Sequence, residues 1–228
     1  MICLRCYVHL VIKWPPRNMS TTQPNTPGNK QIDATVLKPI IDFLYSYHPI
    51  GKPTLRFLLQ HAKERILKKG EILQRSGTIC TDICFVIKGV VRGYIIDNGK
   101  EVTTWITTEN ELVSSIRSVF LQMPTEENIE ALEDCYLMVI ANSDLQKVYD
   151  TYPEFNIVGR KILEYYYTFA EYRAFLCRLS KATDRYNYFV KHSGHLINRI
   201  PLLYIASYLN MSIETVSRIR RQLSAKKK

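Results

Sequence analysis

The sequence has no apolar run of the roughly 18 residues that a membrane-spanning helix requires. Its 46% hydrophobic content is therefore expected inside a folded core, and no membrane partner is expected. Nor is there a paired cysteine framework. The six cysteines, Cys3, Cys6, Cys80, Cys84, Cys135 and Cys177, are scattered, a usage that fits a reducing cytoplasm. Only Cys3 and Cys6 have ligand spacing, and an iron–sulfur cluster takes about four thiolates, so no metal site and no cofactor is assigned. No histidine falls between residues 70 and 141: the five are His9, His48, His61, His192 and His195. A metal enzyme built on strands needs clustered His and carboxylate ligands there; the chain reads as a non-enzyme with no catalytic residue. Residues 1–18 lack the small-residue cleavage site of a secretory signal. Met19, followed by the polar "STTQPNTPGNK", reads as the translation start, and residues 1–32 as a disordered leader or extension.

Acid is almost missing from the end of the chain. From Arg185 to Lys228 there are nine Lys or Arg against one acid, Glu214, which concentrates eight of the ten net positive charges in the last fifth of the sequence. Charge gathered in one segment points to a polyanion, since phosphate neutralisation dominates nucleic-acid affinity.

What is present divides into three stretches. Residues 33–69 read as helical, with Val36, Ile40, Phe43 and Leu44 on one face and Leu55, Leu58 and Leu59 after the break at 49–53. From Gly70 the pattern turns to short β-branched and aromatic runs punctuated by glycine. "DNGK" between "VRGYII" and "EVTTWI" predicts a tight hairpin, because Asn and Gly tolerate positive φ, and "CYLMVIA" at 135–141 predicts a further strand. Such strands suggest a small β-barrel or roll, and 33–152 is taken as one sensor domain.

The longest helix is predicted from Pro153, over 153–180. Phe155, Val158, Ile162, Tyr165, Phe169, Tyr172, Leu176 and Leu179 recur at alternating steps of three and four, the period of a coiled-coil seam. This predicts dimerisation through the helix. "SKATDR" at 180–185 breaks the seam and marks the hinge to a last domain, 181–228.

That domain reads as a helix-turn-helix. Pro201 suits a first helical turn, and Leu202, Ile205, Ala206 and Leu209 form an inward face. In the turn "LNMS", Asn210 takes the left-handed conformation and Ser212 caps the next helix by accepting from the Thr215 N–H. Val216, Ile219 and Leu223 then face inward, leaving Glu214, Ser217, Arg218 and Arg221 together outside, a face suited to the major groove of double-stranded DNA. Arg220, Arg221, Lys226, Lys227 and Lys228 are placed as phosphate neutralisers.

"KGEIL" and "FVIKGVVRGY" within 69–94, and "IASYLNMSIETVSRI" at 205–219, resemble the CRP/FNR family of bacterial transcription regulators, from about residue 33 to the end. The resemblance implies an α+β architecture: a jelly-roll-like β-roll (double-stranded β-helix) with flanking helices, a long dimerisation helix and a C-terminal helix-turn-helix, with no room before Lys228 for a wing. It implies a cytoplasmic, sequence-specific regulator, a homodimer on a pseudo-palindromic operator, with RNA polymerase and a small-molecule effector as further candidate partners. Glu214 and Arg218 match base-reading positions and Thr215 a phosphate contact, while Ile213 stands where the best-known members carry Arg. Cyclic-nucleotide binders of the family have a Gly-Glu pair and then Arg-Ser or Arg-Thr for the cyclic phosphate. Here Asn110-Glu111 and Thr125-Glu126 fall at those places, with Leu112 and Val113 completing the candidate effector pocket. A carboxylate repels a phosphate and supplies no bidentate donor, so cyclic AMP is not the expected effector. Two alternatives stand beside this reading: a cysteine-dependent redox or iron–sulfur sensor, and a β-roll ligand-binding or protein-interaction module.

Overall fold

The computed structural model describes residues 34–225. Two helices open it, α1 (Ala34–Tyr47) and α2 (Lys52–His61). Eight strands follow: β1 (Lys63–Leu67), β2 (Ile72–Gln74), β3 (Asp82–Lys88), β4 (Val91–Asp97), β5 (Lys100–Thr107), β6 (Leu112–Val113), β7 (Asn128–Ala131) and β8 (Cys135–Ala141), with the short helix α3 (Ile116–Leu121) after β6. They make two four-stranded antiparallel sheets, ordered β1-β8-β3-β6 and β2-β7-β4-β5. Leu67, Val86, Val91, Val113, Ile129, Ala131 and Leu137 close the space between them, together with the buried thiols Cys84 and Cys135. Burial pushes the Cys84 thiol up to about 12 and that of Cys135 to about 11.

The helical reading of 33–69 holds only as far as His61. Lys63–Leu67 is instead a strand, paired in register with β8 from Lys63↔Val139 to Leu67↔Cys135. Ala62 has already left the helix, with ψ of 141°. Ile66 and Leu67, neighbours that a helix would place on nearby faces, point oppositely from a strand: Ile66 is exposed and Leu67 lies in the core.

The "DNGK" hairpin joins β4 to β5 as expected. Asn98 and Gly99 take φ of 49° and 75°, which matches the right-handed twist of the flanking strands. At the fifth pair from this turn, Gly93 allows a close approach: a Cβ there would lie 2.2 Å from the Trp105 ring, which packs against the roll core at that level.

After α4 (Asn142–Thr151), the long α5 runs from Pro153 to Arg178. Its first half packs with α1, α2 and α4 around Leu44, Leu58, Val148, Phe155 and Val158, covering the outer face of the first sheet. The chain then turns at Leu179–Lys181 into α6 (Ala182–Ser193), a 3-10 turn at Gly194–Leu196, α7 (Leu202–Tyr208) and α8 (Ile213–Ala225). Pro201 sits at the N-cap of α7, one residue before the expected first helical turn. Tyr186, Phe189, Leu196, Ile205, Leu209, Val216 and Ile219 form the core of this end, joined by Val90 and Leu132 from the roll.

Candidate nucleic-acid interface and effector pocket

The turn between α7 and α8 is built as its residue types dictate. Asn210 has φ of 50°. The Met211 N–H donates to the carbonyl of Ala206 at 3.0 Å, and the Thr215 N–H donates to Oγ of Ser212 at 3.2 Å. Val216 and Ile219 are fully buried below α8. Glu214, Arg218 and Arg221 are exposed above it, with Ser217 between them. The Glu214 carboxyl is held below its ordinary range by its own backbone N–H and the Ser212 hydroxyl. Thr215 stands 3.1 Å from the Ser212 hydroxyl and is half-buried; Arg220 is half-buried and Ile213 is exposed. Lys226, Lys227 and Lys228 lie outside the described residues, as do Cys3, Cys6 and Met19.

The basic count of this segment needs one correction. Arg185 and Arg199 do not face outward for a polyanion. Arg185 donates from Nε to the carbonyl of Leu209 at 3.0 Å and from Nη1 to that of Leu179 at 2.6 Å, tying the α5–α6 turn to the α7–α8 turn. Arg199 donates to Glu109 at 2.6 Å and to Glu133, both carboxylates of the roll.

This second contact belongs to a broad seat of the C-terminal helices on the outer face of the second sheet. Arg92 of β4 is buried, paired with Glu130 at 2.6 Å and with Glu101. Its guanidinium lies over the rings of Tyr94 and Tyr204, at 4.2 and 3.7 Å from their centroids. The Thr103 N–H donates to Oγ of Ser207 on α7 at 2.9 Å. Burial alone would raise the Glu109 carboxyl, but hydrogen bonds from Arg199, Thr108 and the Gly89 N–H outweigh it and hold it far below the usual carboxylate range. No local sequence signal marks Arg92, Arg185 or Arg199, because each depends on a partner far along the chain: Glu130, Leu209 and Glu109.

The structure scatters the expected effector-pocket residues. Val113 is buried between the sheets. Asn110, with φ of 65°, is exposed and borders a groove of about 520 Å³ against α1, lined also by Lys38, Asp42 and Phe43. Glu111 faces α5, accepting from Tyr165 Oη at 3.0 Å and from Tyr166 Oη. The Leu112 N–H donates to the same Tyr166 hydroxyl at 2.7 Å. Burial, then the Glu111 charge, pushes both phenols well above their ordinary range. Thr125 is buried, its hydroxyl 2.7 Å from that of Ser115 and accepting from the Glu127 N–H at 3.0 Å. Glu126 does not enter any cradle: it is 79% exposed and meets Arg117 at the surface. The inward carboxylate is the next residue, Glu127, which accepts from Trp105 Nε1 at 3.1 Å and Thr104 Oγ1 at 3.2 Å. Among the described residues every buried side-chain nitrogen and oxygen has a hydrogen-bond partner.

On α5 the eight expected seam positions divide. Phe155, Val158 and Leu176 are buried within the chain itself, Ile162 and Leu179 pack against the same cores, and Tyr172 stacks on Tyr188 of α6 with centroids 4.6 Å apart. Tyr165 is engaged by Glu111, and Phe169 is 42% exposed. The uncovered face is a neighbouring stripe, Leu163, Tyr167, Ala170, Ala174 and Cys177, again at steps of four and three.

Residues 64–152 match the family model of the cyclic nucleotide-binding domain. No curated protein matches the chain in sequence. Among solved structures, FixK2 from Bradyrhizobium japonicum aligns over 72% of this chain and 85% of its own, at 18% identity and a TM-score of 0.63. A candidate transcriptional regulator of the CRP/FNR family from Eubacterium rectale aligns over 79% of this chain and 88% of its own, at 18% identity and a TM-score of 0.61. A CooA variant from Carboxydothermus hydrogenoformans aligns over 73% and 78%, at 19% identity and a TM-score of 0.60. These are likenesses of fold, and they extend from the roll into the helices that follow it.

Proposed function

We propose that this chain, which carries a cyclic nucleotide-binding domain at 64–152 and has the fold of the CRP/FNR regulators, is a sequence-specific DNA-binding transcription regulator and not an enzyme. The observation that carries the reading is α8. A clean buried row of Val216 and Ile219 opposes an exposed row of Glu214, Arg218 and Arg221, on a helix whose N-terminus is fixed by the Ser212 cap. Arg218 is suited to bidentate bonding with guanine O6 and N7, and Glu214 to accepting from cytosine N4. Arg220, Arg221 and Lys226 to Lys228 would neutralise phosphates and add affinity without sequence information.

A single short reading helix covers too few base pairs for an adequate site, so the working form is a homodimer on a two-fold symmetric operator. The α5 stripe Leu163, Tyr167, Ala170, Ala174 and Cys177 supports this, because it repeats a coiled-coil spacing and is exposed among the described residues. The operating state needs no cyclic AMP. Glu111 is engaged by two tyrosines of α5, Thr125 is closed off by Ser115, and neither supplies the cation that a cyclic phosphate demands.

Selection of bound duplexes from a random pool tests the reading. A two-fold symmetric consensus is expected, with affinity falling steeply as salt rises. Recovery of no consensus, with binding flat in salt, would instead favour a protein-interaction module. Arg218→Ala should relax one base pair per half-site by about 1–3 kcal/mol of discrimination, whereas deleting Lys226 to Lys228 should weaken all duplexes alike. Oxidative cross-linking through Cys177 should trap the dimer, and Cys177→Ser should abolish the cross-link.

A further inference from the structure

We infer that Arg199 is a positioning residue that fixes the distance between half-sites the dimer accepts, by locking the C-terminal helices to their own roll. This rests on the homodimer DNA-binding reading given above. The covalent joint alone, the turn at Leu179–Lys181, would leave the helical end free to swing, since a few loop residues absorb a rotation. Two further attachments remove that freedom. At the first, Arg199 donates to Glu109 at 2.6 Å, to Glu133 and to Thr108 Oγ1 at 3.2 Å. Glu109 and Glu133 stand in the β5–β6 and β7–β8 connections. Glu109 also accepts from the Gly89 N–H at 2.8 Å, which draws in the β3–β4 connection. At the second, Ser207 Oγ accepts from the Thr103 N–H at 2.9 Å and donates to the Glu101 carbonyl at 3.3 Å. Beside it the Tyr204 ring lies on the buried Arg92.

The chain from Thr103 to Thr108 is extended, so the two attachments stand about 15 Å apart on the roll. Val90 and Leu132 add apolar contact with the same helices. Burial of that kind is non-directional and tolerates sliding, whereas charge-assisted hydrogen bonds fix an angle as well as a distance. Held at the joint and at two points beyond it, the helical end cannot turn against its roll. Ile205 and Leu209 share a core with Val216 and Ile219, so α8 keeps a set direction relative to the sheet and to α5. Duplex geometry turns that direction into a measurement. One base pair added between half-sites moves the second by about 3.4 Å and rotates it by about 35°. Two locked reading heads cannot follow both changes, and the gain from linked binding is lost when geometry forbids engaging both sites. Released heads can follow them, with a lower effective concentration at the original spacing.

The test uses the symmetric duplex recovered from the random pool, resynthesised with its centre one base pair shorter or longer. The wild-type chain is expected to lose at least about tenfold affinity for either altered duplex. Arg199→Ala should bind the original duplex more weakly and the altered ones within about threefold of it. The double change Glu109→Ala with Glu133→Ala removes the same attachment while shifting net charge the opposite way. It should broaden the spacing alike, a result that charge alone would not give. Leu58→Ala, in the core between α1, α2 and α5, destabilises the roll without touching the attachments and should keep the narrow profile. The proteins are compared at a temperature where circular dichroism shows each to be folded. Equal wild-type affinity for the three spacings overturns the inference and leaves DNA reading intact. So does a profile that stays narrow when either side of the Arg199 bridge is removed, or one that broadens equally in Leu58→Ala. Failure to recover any symmetric duplex overturns the reading on which the inference rests.

Discussion

Tyr166 holds two groups with one hydroxyl. It donates to Glu111 and accepts from the Leu112 N–H, so one atom ties both the last strand before α3 and the residue preceding it to α5. Tyr166→Phe should leave the shape of the core and remove only these bonds, with Glu111 keeping Tyr165. A loss of about 1–2 kcal/mol in the urea unfolding free energy is expected. At the same scale lie the residues that sequence reasoning did not find. Tyr166 acts on a partner 54 residues away, and Arg199 on carboxylates 90 and 66 residues away. Local periodicity carries no information about such pairings. Glu126 and Glu127 lie in the irregular stretch before β7, where no strand alternation tells from sequence which of two adjacent acids turns to Trp105 and Thr104.

Among the elements, those with strong local signals were legible. The β4–β5 hairpin, β8, the long α5 and the α7–α8 turn all follow from residues within a few positions of each other: Asn98 and Gly99, the "CYLMVIA" run, the seam spacing, Asn210 and Ser212. The β1 strand was not, because "KERIL" has no turn signal before it and becomes a strand only by pairing with β8, some seventy residues later. The seam spacing on α5 was legible as a helix and misleading as to its partner, since the same heptad rhythm serves two adjacent stripes and the chain's own cores cover one of them. For the hairpin a prediction follows. Gly99 has φ of 75° and nothing near its Cβ position, so Gly99→Ala meets backbone strain without a clash. A destabilisation of about 1 kcal/mol by thermal or urea unfolding is expected, whereas Asn98→Gly should be close to neutral.

Across the whole described chain, the roll and the C-terminal helices share an interface. Arg199 between Glu109 and Glu133, Arg92 between two tyrosine rings and Ser207 on Thr103 link them within one chain. Arg199→Ala leaves two half-buried carboxylates facing each other and should lower stability by about 2 kcal/mol at neutral pH. Glu109 has a depressed native pKa, so its contribution is present above the ordinary carboxylate value of about 4.3 and is lost as pH falls through the lower native one. The gap between wild type and Arg199→Ala should therefore narrow as urea unfolding is repeated below about pH 4. A gap constant with pH would assign the loss to packing alone. Hydrogen exchange should place the added openings of this variant in β5 and α7 together, because the two elements exchange bonds directly through Ser207.

The buried thiols of the roll have one more consequence. Cys84 and Cys135 are enclosed between the sheets and pushed to about 12 and about 11, and Cys80 is enclosed beside them, while Cys177 stands in the open on α5. Reactivity belongs to the thiolate and to access. The molecule is thus fitted with two clocks of its own: a thiol on the α5 stripe that a labelling reagent reaches whenever two copies part, and interior thiols that it reaches only at the rate the roll comes apart.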